Sequence, residues 1–516
     1  MATSTLPKSS PTPRFIEMMV LMVAVLGTGM FHIDARSVTV ALPTIQVALH
    51  ASINDMQWLF DIYILILTTL LLIGGVLGDR YGHVRIASIG ALLFSSGAFL
   101  SGLAPSLVIL ISARAIQGVG AALLVPSGLA LINATVASHR RARMLGLWVT
   151  MTTPLIAVGP SLAGWLVDYV SWRAVFLINV PLGLIACFIA QRYIPESRRN
   201  GATAMLDWPG VIALIIGLSG LLLGLIEGPR LGWSHPAIIS ALIGGVIGLI
   251  IFVLIELKSP NPMLPLHLFR HRTFSGITLM TLIYFMAFGG LLFFLVLNMQ
   301  QVQGYSALAT GLTLLPITLS IFALSTPVGR LTDRFGPVPL LIVGPLIASL
   351  SFFLFAQVGL EANYWISFFP PTLLLGLAMG ITIVPATAVA LSALPKHYSG
   401  IASGVSHAVT RLGDMLAIAV LGAIMVMGFQ TNLAERVAHL PLDTNSQVLL
   451  LAQARNLGAT VPPAGLSPEL AQATQEAIRL AFVDSFQQVM YVCIVLTLLS
   501  VVVVVLMVQN PVAEND

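Results

Sequence analysis

Apolar residues in this chain fall in long unbroken blocks, not in the alternation of a strand or the narrow stripe of a surface helix. A helix needs about 20 mostly apolar residues to cross the hydrocarbon core of a bilayer. Fourteen blocks reach that length, at 15–38, 53–77, 86–105, 107–131, 143–168, 174–194, 208–228, 236–257, 273–298, 307–329, 337–358, 364–391, 403–428 and 483–508. Alternating ten-residue segments of the outer-membrane barrel kind do not occur, so the spans are predicted to be helices, which satisfy their own backbone in lipid. The first block runs straight into His32-Ile33-Asp34 without a small-residue cleavage site, so it is predicted to be a span and not a signal peptide. Two polar stretches remain: a Ser/Thr/Pro-rich segment at 1–13, expected to be disordered, and an outer loop at about 429–482. From Pro468 onward that loop reads as an amphipathic helix.

Composition closes off other classes. Of 516 residues, 57% are hydrophobic and 9% charged, with a mean hydropathy of +0.96; a soluble domain carries about 25% charged residues. A soluble enzyme, a disordered chain and a coiled coil are excluded, which leaves an all-α, multi-spanning membrane protein. Lys occurs only at Lys8, Lys258 and Lys396, and no Gly-Lys pair exists, so the chain holds no Walker A loop to drive it with ATP. Cys187 and Cys493 both sit in apolar blocks and read as isolated thiols, not a disulfide or a metal pair. With the amino terminus inside, sixteen of the 24 Lys and Arg residues fall on inner segments, five on outer segments, and Arg36, Arg114 and Arg411 within spans. Positive charge stays on the cytoplasmic side of short loops, so this bias predicts an even number of spans and two cytoplasmic termini in a plasma (inner) membrane.

The chain contains an internal repeat. Gly75-Val76-Leu77-Gly78-Asp79-Arg80-Tyr81-Gly82 ends the second block, and Gly329-Arg330-Leu331-Thr332-Asp333-Arg334-Phe335-Gly336 ends the tenth. Both read G-x-L-x-D-R-aromatic-G on the cytoplasmic side. Two six-helix halves repeated in this way are a transporter pattern. The predicted organisation is an amino-terminal bundle at 14–200, two inserted spans at 201–260 and a carboxy-terminal bundle at 261–510.

Further motifs accompany the repeat. Arg114-Ala115-Ile116-Gln117-Gly118 with Gly120 lies in the fourth span, and Gly159-Pro160 with Gly164 in the fifth. Trp172-Arg173 leads to Asn179-Val180-Pro181, and Asp34 precedes Val40-Ala41-Leu42-Pro43 in the first. With the loop motif at Gly75 to Arg85, this set resembles the major facilitator superfamily. More narrowly it resembles the fourteen-helix branch of drug:proton antiporters, which includes pumps for quaternary ammonium compounds. The chain departs from that pattern in three places: Asp34-Ala35-Arg36 replaces Asp-x-Thr, Ala163-Gly164 replaces a glycine pair, and the penultimate span lacks the usual run of carboxylates, carrying His407, Arg411 and Asp414.

The candidate chemistry lies in charges placed in spans, where they are costly and functional by default. Burial disfavours an ionised carboxylate, so Asp34 and Asp61 can accept a proton on one side and release it on the other, and competition with substrate gives the simplest antiport linkage. The resemblance implies the same roles; the alternative is a static ion pair with Arg36 or Arg114. Arg114 at mid-span costs about 2.5–3.5 kcal/mol to insert and needs a buried partner; the resemblance implies that it tunes a carboxylate, and the alternative is a structural hydrogen bond to backbone carbonyls. His407, Arg411 and Asp414 share one helix face and form either a polar stripe on a cavity or a self-satisfied Arg411–Asp414 pair. His32 either relays protons or is simply hydrogen-bonded.

For gating, where the motif residues Arg80, Arg85 and Arg334 are also candidates, Asp79 and Asp333 can lodge as a latch at the amino end of a neighbouring helix, Gly82 supplying the turn, or be solvated in the loop with Arg80, Arg85 and Arg334. Gly159-Pro160 bends its helix, and Gly164 admits a close neighbour; the resemblance implies a seal against proton leak. Charges within spans sum to zero, which suits neutral, zwitterionic or anionic amphipaths as well as cations.

The expected function is a proton-coupled antiporter that exports hydrophobic or amphipathic small molecules by alternating access, with protons, substrate and membrane lipids as partners. No nucleic acid, cofactor or metal is expected, and a monomer is favoured. Rival readings are a transporter of a lipid, an anion or another specific metabolite on the same fold, and a non-transport membrane enzyme or sensor.

Overall fold

The computed structural model describes residues 13–196, 207–259, 262, 264–360, 362–395 and 398–509. Residues 1–12, Arg198, Arg199 and Lys396, which carried part of the charge argument, lie outside the described residues.

The first seven helices are α1 (Pro13–Ala48), α2 (Ile53–Tyr81), α3 (His83–Leu103), α4 (Leu107–Thr135), α5 (Ser138–Tyr169), the short α6 (Ala174–Leu177) and α7 (Asn179–Tyr193). Then come α8 (Trp208–Leu231) and α9 (Pro236–Lys258). They are followed by α10 (Arg272–Leu297), α11 (Ala307–Thr313), α12 (Leu315–Phe335), α13 (Pro337–Ala356), α14 (Phe369–Ser392), α15 (Ser399–Ala438), α16 (Thr444–Ala452) and α17 (Pro468–Met507). Each apolar block falls on a helix, or on a helix with an adjoining turn or short helix, and all but those of α1, α15 and α17 match it to within a few residues. Among the described residues 13 helices are long and apolar enough to cross a bilayer, or up to 14 when the two parts of α2, bent by 49° beyond Leu71, count as one span. The chain is a multi-pass, all-α membrane protein.

Local chemistry explains the boundaries. Ser52 and Asp55 form a reciprocal capping box that starts α2: the Ser52 backbone N–H donates to Asp55 Oδ2 at 2.8 Å, and Asp55 N–H donates to Ser52 Oγ at 3.4 Å. Ser467 caps α17 ahead of Pro468, whose ring favours the first helical position. Both copies of the loop repeat end in a glycine at positive φ, Gly82 at 104° and Gly336 at 77°. A side chain is strained there, so each glycine lets one span turn at once into the next.

Three helices run past their apolar blocks. α1 continues through Pro43 to Ala48. α15 and α17 are each 40 residues long and project beyond one end of the bundle. The segment expected to be a polar loop at 429–482 is therefore largely helical and packed: Phe429, Leu433 and Val437, spaced four apart on α15, are all buried.

The packing relations repeat. α1 lies on α4, α5 and α7, α2 on α4, and α3 on α4 and α7; in the second half α10 lies on α14, α15 and α17, α12 on α14, and α13 on α14 and α17. Across the middle, α1 meets α10, α2 meets α15, and α5 meets α11 and α12. α8 and α9 pack on each other, with α8 against α2 and α15. One end of the bundle carries Arg80, Arg85, Arg140, Arg330 and Arg334, hereafter the basic end; the other carries residues 439–467.

Candidate functional site

A cavity of about 240 Å³ lies between the two sets of helices. Its walls come from α1, α2, α5, α10, α12, α14 and α15. Phe60, Phe285, Phe288 and Phe293 make much of the apolar lining; His32, Arg36, Arg411 and Asp414 bring polarity. On α1 the lining residues His32, Ala35, Arg36 and Thr39 follow helical spacing, so one stripe of that helix faces the cavity.

Asp34 falls on a different face of α1 and points to α4. It is fully buried and paired with Arg114, Oδ2 to Nη1 at 2.5 Å, with neither side chain exposed. Gln117 joins them: its Nε2 donates to Asp34 Oδ1 at 3.2 Å, and Arg114 Nη1 donates to its Oε1 at 3.1 Å. Arg114 Nε donates to the Leu59 carbonyl of α2 at 3.4 Å, and the guanidinium lies 4.1 Å from the centroid of the Tyr63 ring. Arg114 thus ties three helices together with a stacked, forked cation that Lys could not replace. Neither Asp34 nor Arg114 lines the cavity; of the two roles open to Asp34, the arrangement here is the ion pair with Arg114.

Asp61 is also fully buried, on α2, but neither of its oxygens has a hydrogen-bond partner among the described residues. Its neighbours Phe60 and Ile64 line the cavity, and Asp414 lies near enough to act on it electrostatically. Asp414 lies on the cavity wall 3.6 Å from Arg411, one turn back on α15. The Arg411 guanidinium reaches across to α1, 4.5 Å from the Phe31 ring, and Arg36 of α1 reaches back toward α10, 5.9 Å from the Phe288 ring. Two cations therefore bridge the halves through aromatic faces. His407 sits further toward the basic end and is exposed; the cavity wall takes Arg411 and Asp414 from that stripe, but not His407.

At the end opposite the basic one the halves are closed. A Cβ on Gly164 would run into the backbone of Ala307 and Leu308, and one on Gly311 into Pro160 and Ser161. α5 and α11 approach this closely only because both positions are glycine. Asp168, one turn beyond Gly164, accepts the backbone N–H groups of Ala307 at 3.1 Å and Leu308 at 2.8 Å, where the helix dipole favours its charge. Gly159 packs on α1 beside Arg36, and Ser37 Oγ donates to its carbonyl at 3.3 Å. A second tie runs through Gln46 of α1, which accepts from Gln301 at 2.9 Å and donates to the Asn456 carbonyl at 3.2 Å.

The two loop motifs lie at the basic end. A Cβ on Gly75 or on Gly329 would meet no atom within 4 Å. The expected partner of Asp79, a neighbouring helix end, is replaced by His83 at 3.2 Å, one turn on across the Gly82 bend. The amino end of α3 is taken by Glu196 instead, which accepts from Val84 N–H at 3.1 Å and Arg85 N–H at 3.2 Å. Arg80 lies against Tyr81 and Arg334 against Phe335, and Asp333 is exposed. Cys187 and Cys493 are free and buried.

Sequence reading missed Asp168, Glu196, Gln117 and the Gln46–Gln301 tie. Gln117 was visible inside the Arg114 motif. Asp168 and Glu196 each stand just at a span end, where a carboxylate looks solvated until its helix partner is known.

The Major Facilitator Superfamily model matches residues 24–204 and 189–418. The tetracenomycin C resistance and export protein of Streptomyces glaucescens is 34% identical over 461 residues, covering 87% of this chain and 83% of that protein. The multidrug resistance protein Stp of Mycobacterium tuberculosis is 32% identical over 420 residues, covering 81% and 77%. Among solved structures, a bacterial homolog of the human lysosomal transporter Spinster superposes with a TM-score of 0.65 at 16% identity, over 98% of this chain and all of that one. That likeness concerns the fold. The helices, the central cavity and these relatives lead to one conclusion: the chain belongs to the Major Facilitator Superfamily, among its multidrug- and antibiotic-resistance efflux transporters, and exports small hydrophobic or amphipathic molecules.

Proposed function

We propose that this exporter is a proton-coupled antiporter of fourteen spans in the plasma membrane, with both termini cytoplasmic, built as two pseudo-symmetric six-helix bundles at 14–200 and 261–510 with α8 and α9 inserted between them. The repeated packing relations support the two bundles. Asp61 carries the proton. The observation that supports this is a fully buried carboxyl group with no donor to either oxygen among the described residues, set beside the cavity and under the electrostatic influence of Asp414. An isolated ionised carboxylate is very costly to bury, so this setting suits a group that holds its proton until the cavity changes. Asp414 and Arg411 form the exchangeable pair on the wall, Arg36 and His32 complete it, and Asp34–Arg114–Gln117 stands behind as a rigid brace. Gly159, Pro160 and Gly164 close one end, while the motif residues Gly75, Asp79, Arg80, Gly82 and Arg85, with Asp333 and Arg334, latch the other end in the opposite state of the cycle. Gly75 and Gly329, unpacked here, are the contact points of that latch.

The test is proton movement in proteoliposomes on adding each member of a panel: ethidium, a quaternary ammonium compound, and tetracenomycin C, after the relative named for it. Substrate-evoked proton flux that vanishes in Asp61→Asn, while unlabelled-for-labelled substrate exchange persists, is the expected result. Unchanged flux in Asp61→Asn refutes the assignment. A second reading, transport of an anionic or lipid substrate on the same fold, draws on Arg36 and Arg411 on the cavity wall. A charge series of otherwise similar substrates distinguishes it, because Arg36→Ala would then impair the anionic members selectively.

A further inference from the structure

The seam between α2 and α15 is largely apolar. Met56 and Leu59 of α2 share a buried cluster with Ile418, Leu421 and Met425 of α15. Between them Gln57, 1% exposed, donates through Nε2 to the Ile418 carbonyl at 2.9 Å. Among the described residues this is the single hydrogen bond between the two helices. Its place is prepared on the α15 side: a Cβ on Gly422 would run into Gln57 Nε2. Glycine inside a helix is unfavourable, and here it makes the space in which the amide lies. Another face of α2 is held by α8. Trp58 Nε1 donates to Glu227 at 3.0 Å, and Asn54 donates to the Ile226 carbonyl. Toward α15, α8 offers apolar side chains, with Leu218 and Leu222 in one buried cluster with Met415 and Ala419. Polar ties thus join α8 to α2, and Gln57 alone supplies one from α2 to α15.

That bond lies one helical turn from Asp61. α2 runs toward the basic end and α15 away from it, so the contact of Gln57 with Ile418 sets the register of the next turn. Asp61, four residues later on α2, comes level with Asp414, four residues earlier on α15, and Asp414 acts on Asp61 electrostatically. Charges on the other helices packed against α2 are placed elsewhere: Asp34 pairs with Arg114 and Glu227 with Arg230, while His32 and Arg36 line the cavity. Arg411 lies beside Asp414. Gln57 stands about 6 Å from Asp61 along the helix, on the side toward residues 439–467. A buried amide without a partner is costly, so the bond holds while the helices touch and is given up when they part.

We infer that Gln57 is a positioning residue for proton exchange: its bond to the Ile418 carbonyl clamps α15 on α2 and keeps the Asp61 carboxyl from water, and that carboxyl exchanges its proton only after the clamp opens. The inference rests on Asp61 as the proton carrier. It joins two events that an antiport cycle must keep together, separation of the halves at this seam and access to the carrier.

The experiment reads access to the carboxyl directly. Protein in nanodiscs is treated with a water-soluble carbodiimide and glycine amide, and modification of Asp61 and Asp34 is followed by peptide mass spectrometry. Gln57→Met keeps the length of the side chain and removes its donor. Gly422→Ala displaces the same amide from the other helix, a shift that the far end of a flexible side chain can make. Both carboxyl groups are fully buried, so Asp34 is the internal control. Modification of Asp61 several-fold faster than in the unaltered protein in each variant, no faster in the double variant than in the singles, and unchanged at Asp34, is the expected result. Asp61 no faster in either variant, or an additive double variant, overturns the inference. So does equal acceleration at Asp34, which is what general loosening of the bundle would give. The readout needs no proton flux, so flux that survives Asp61→Asn would remove the carrier while the clamp is still judged by labelling.

Discussion

At the scale of single residues, the same charge type does different work on different faces of one helix. Asp34 and Arg36 are two positions apart on α1; one is locked to Arg114 out of reach of the cavity, and the other lines it. Breaking a buried pair by removing one partner costs about 3–5 kcal/mol, because the other charge is stranded. Arg114→Met is therefore expected to lower the thermal unfolding midpoint in detergent sharply, and Asp34→Asn combined with Arg114→Met to recover much of the loss; a double variant no more stable than the single would show that the pair is not the source. Spacing and motif made Asp34, Asp61 and Arg114 readable as candidates. Which of them has a partner was not readable, because the partner sits on another helix some 50 to 80 residues away: Leu59 and Asp34 for Arg114, and among the described residues no donor for Asp61.

At the scale of elements, the decisive contact is α5 against α11. Backbone-to-backbone approach leaves no space for a side chain at Gly164, so Gly164→Val is expected to abolish transport while the protein still inserts, and to raise thiol labelling at positions near the end opposite the basic one. Asp168→Asn keeps the shape but removes a charge from two backbone donors. Hydrogen bonds to a charged group contribute about 1.5–3 kcal/mol, and the substitution is expected to shift the population toward opening at that end, measured as faster labelling of a cysteine placed at Gln301; unchanged labelling would assign Asp168 no part in closure. The glycines of the motif were legible in the sequence. Their partners, Ala307 and Leu308, were not, because nothing in local pattern announces which backbone a glycine admits.

For the whole molecule, alternating access requires the ties at the closed end to break in each cycle. Gln46 and Gln301 belong to different halves and touch. A reversible thiosulfonate cross-link between Gln46→Cys and Gln301→Cys is expected to stop transport, and reduction to restore it. Full transport by the cross-linked protein would mean that the halves do not separate there. The segment at 439–467, with Leu457 buried at a φ of 52°, rides over the same junction and moves with whichever half keeps it; its length beyond the membrane was visible in the sequence, its packing was not.

The sequence by itself determined that the chain crosses a bilayer many times, roughly where the apolar helices lie, and which end of them gathers arginine, because hydrophobic length and arginine placement are local quantities that lipid enforces segment by segment. It also contains the repeated loop motif at 75–82 and 329–336. Only the tertiary structure decided which polar side chains share a cavity, that among the described residues Asp61 is without a donor while Asp34 has two, and that the inserted α8 packs against α2 and α15. Those outcomes depend on helix rotation and on contacts between residues far apart in the chain, and a small turn of one helix about its axis exchanges them without changing a single hydrophobic block.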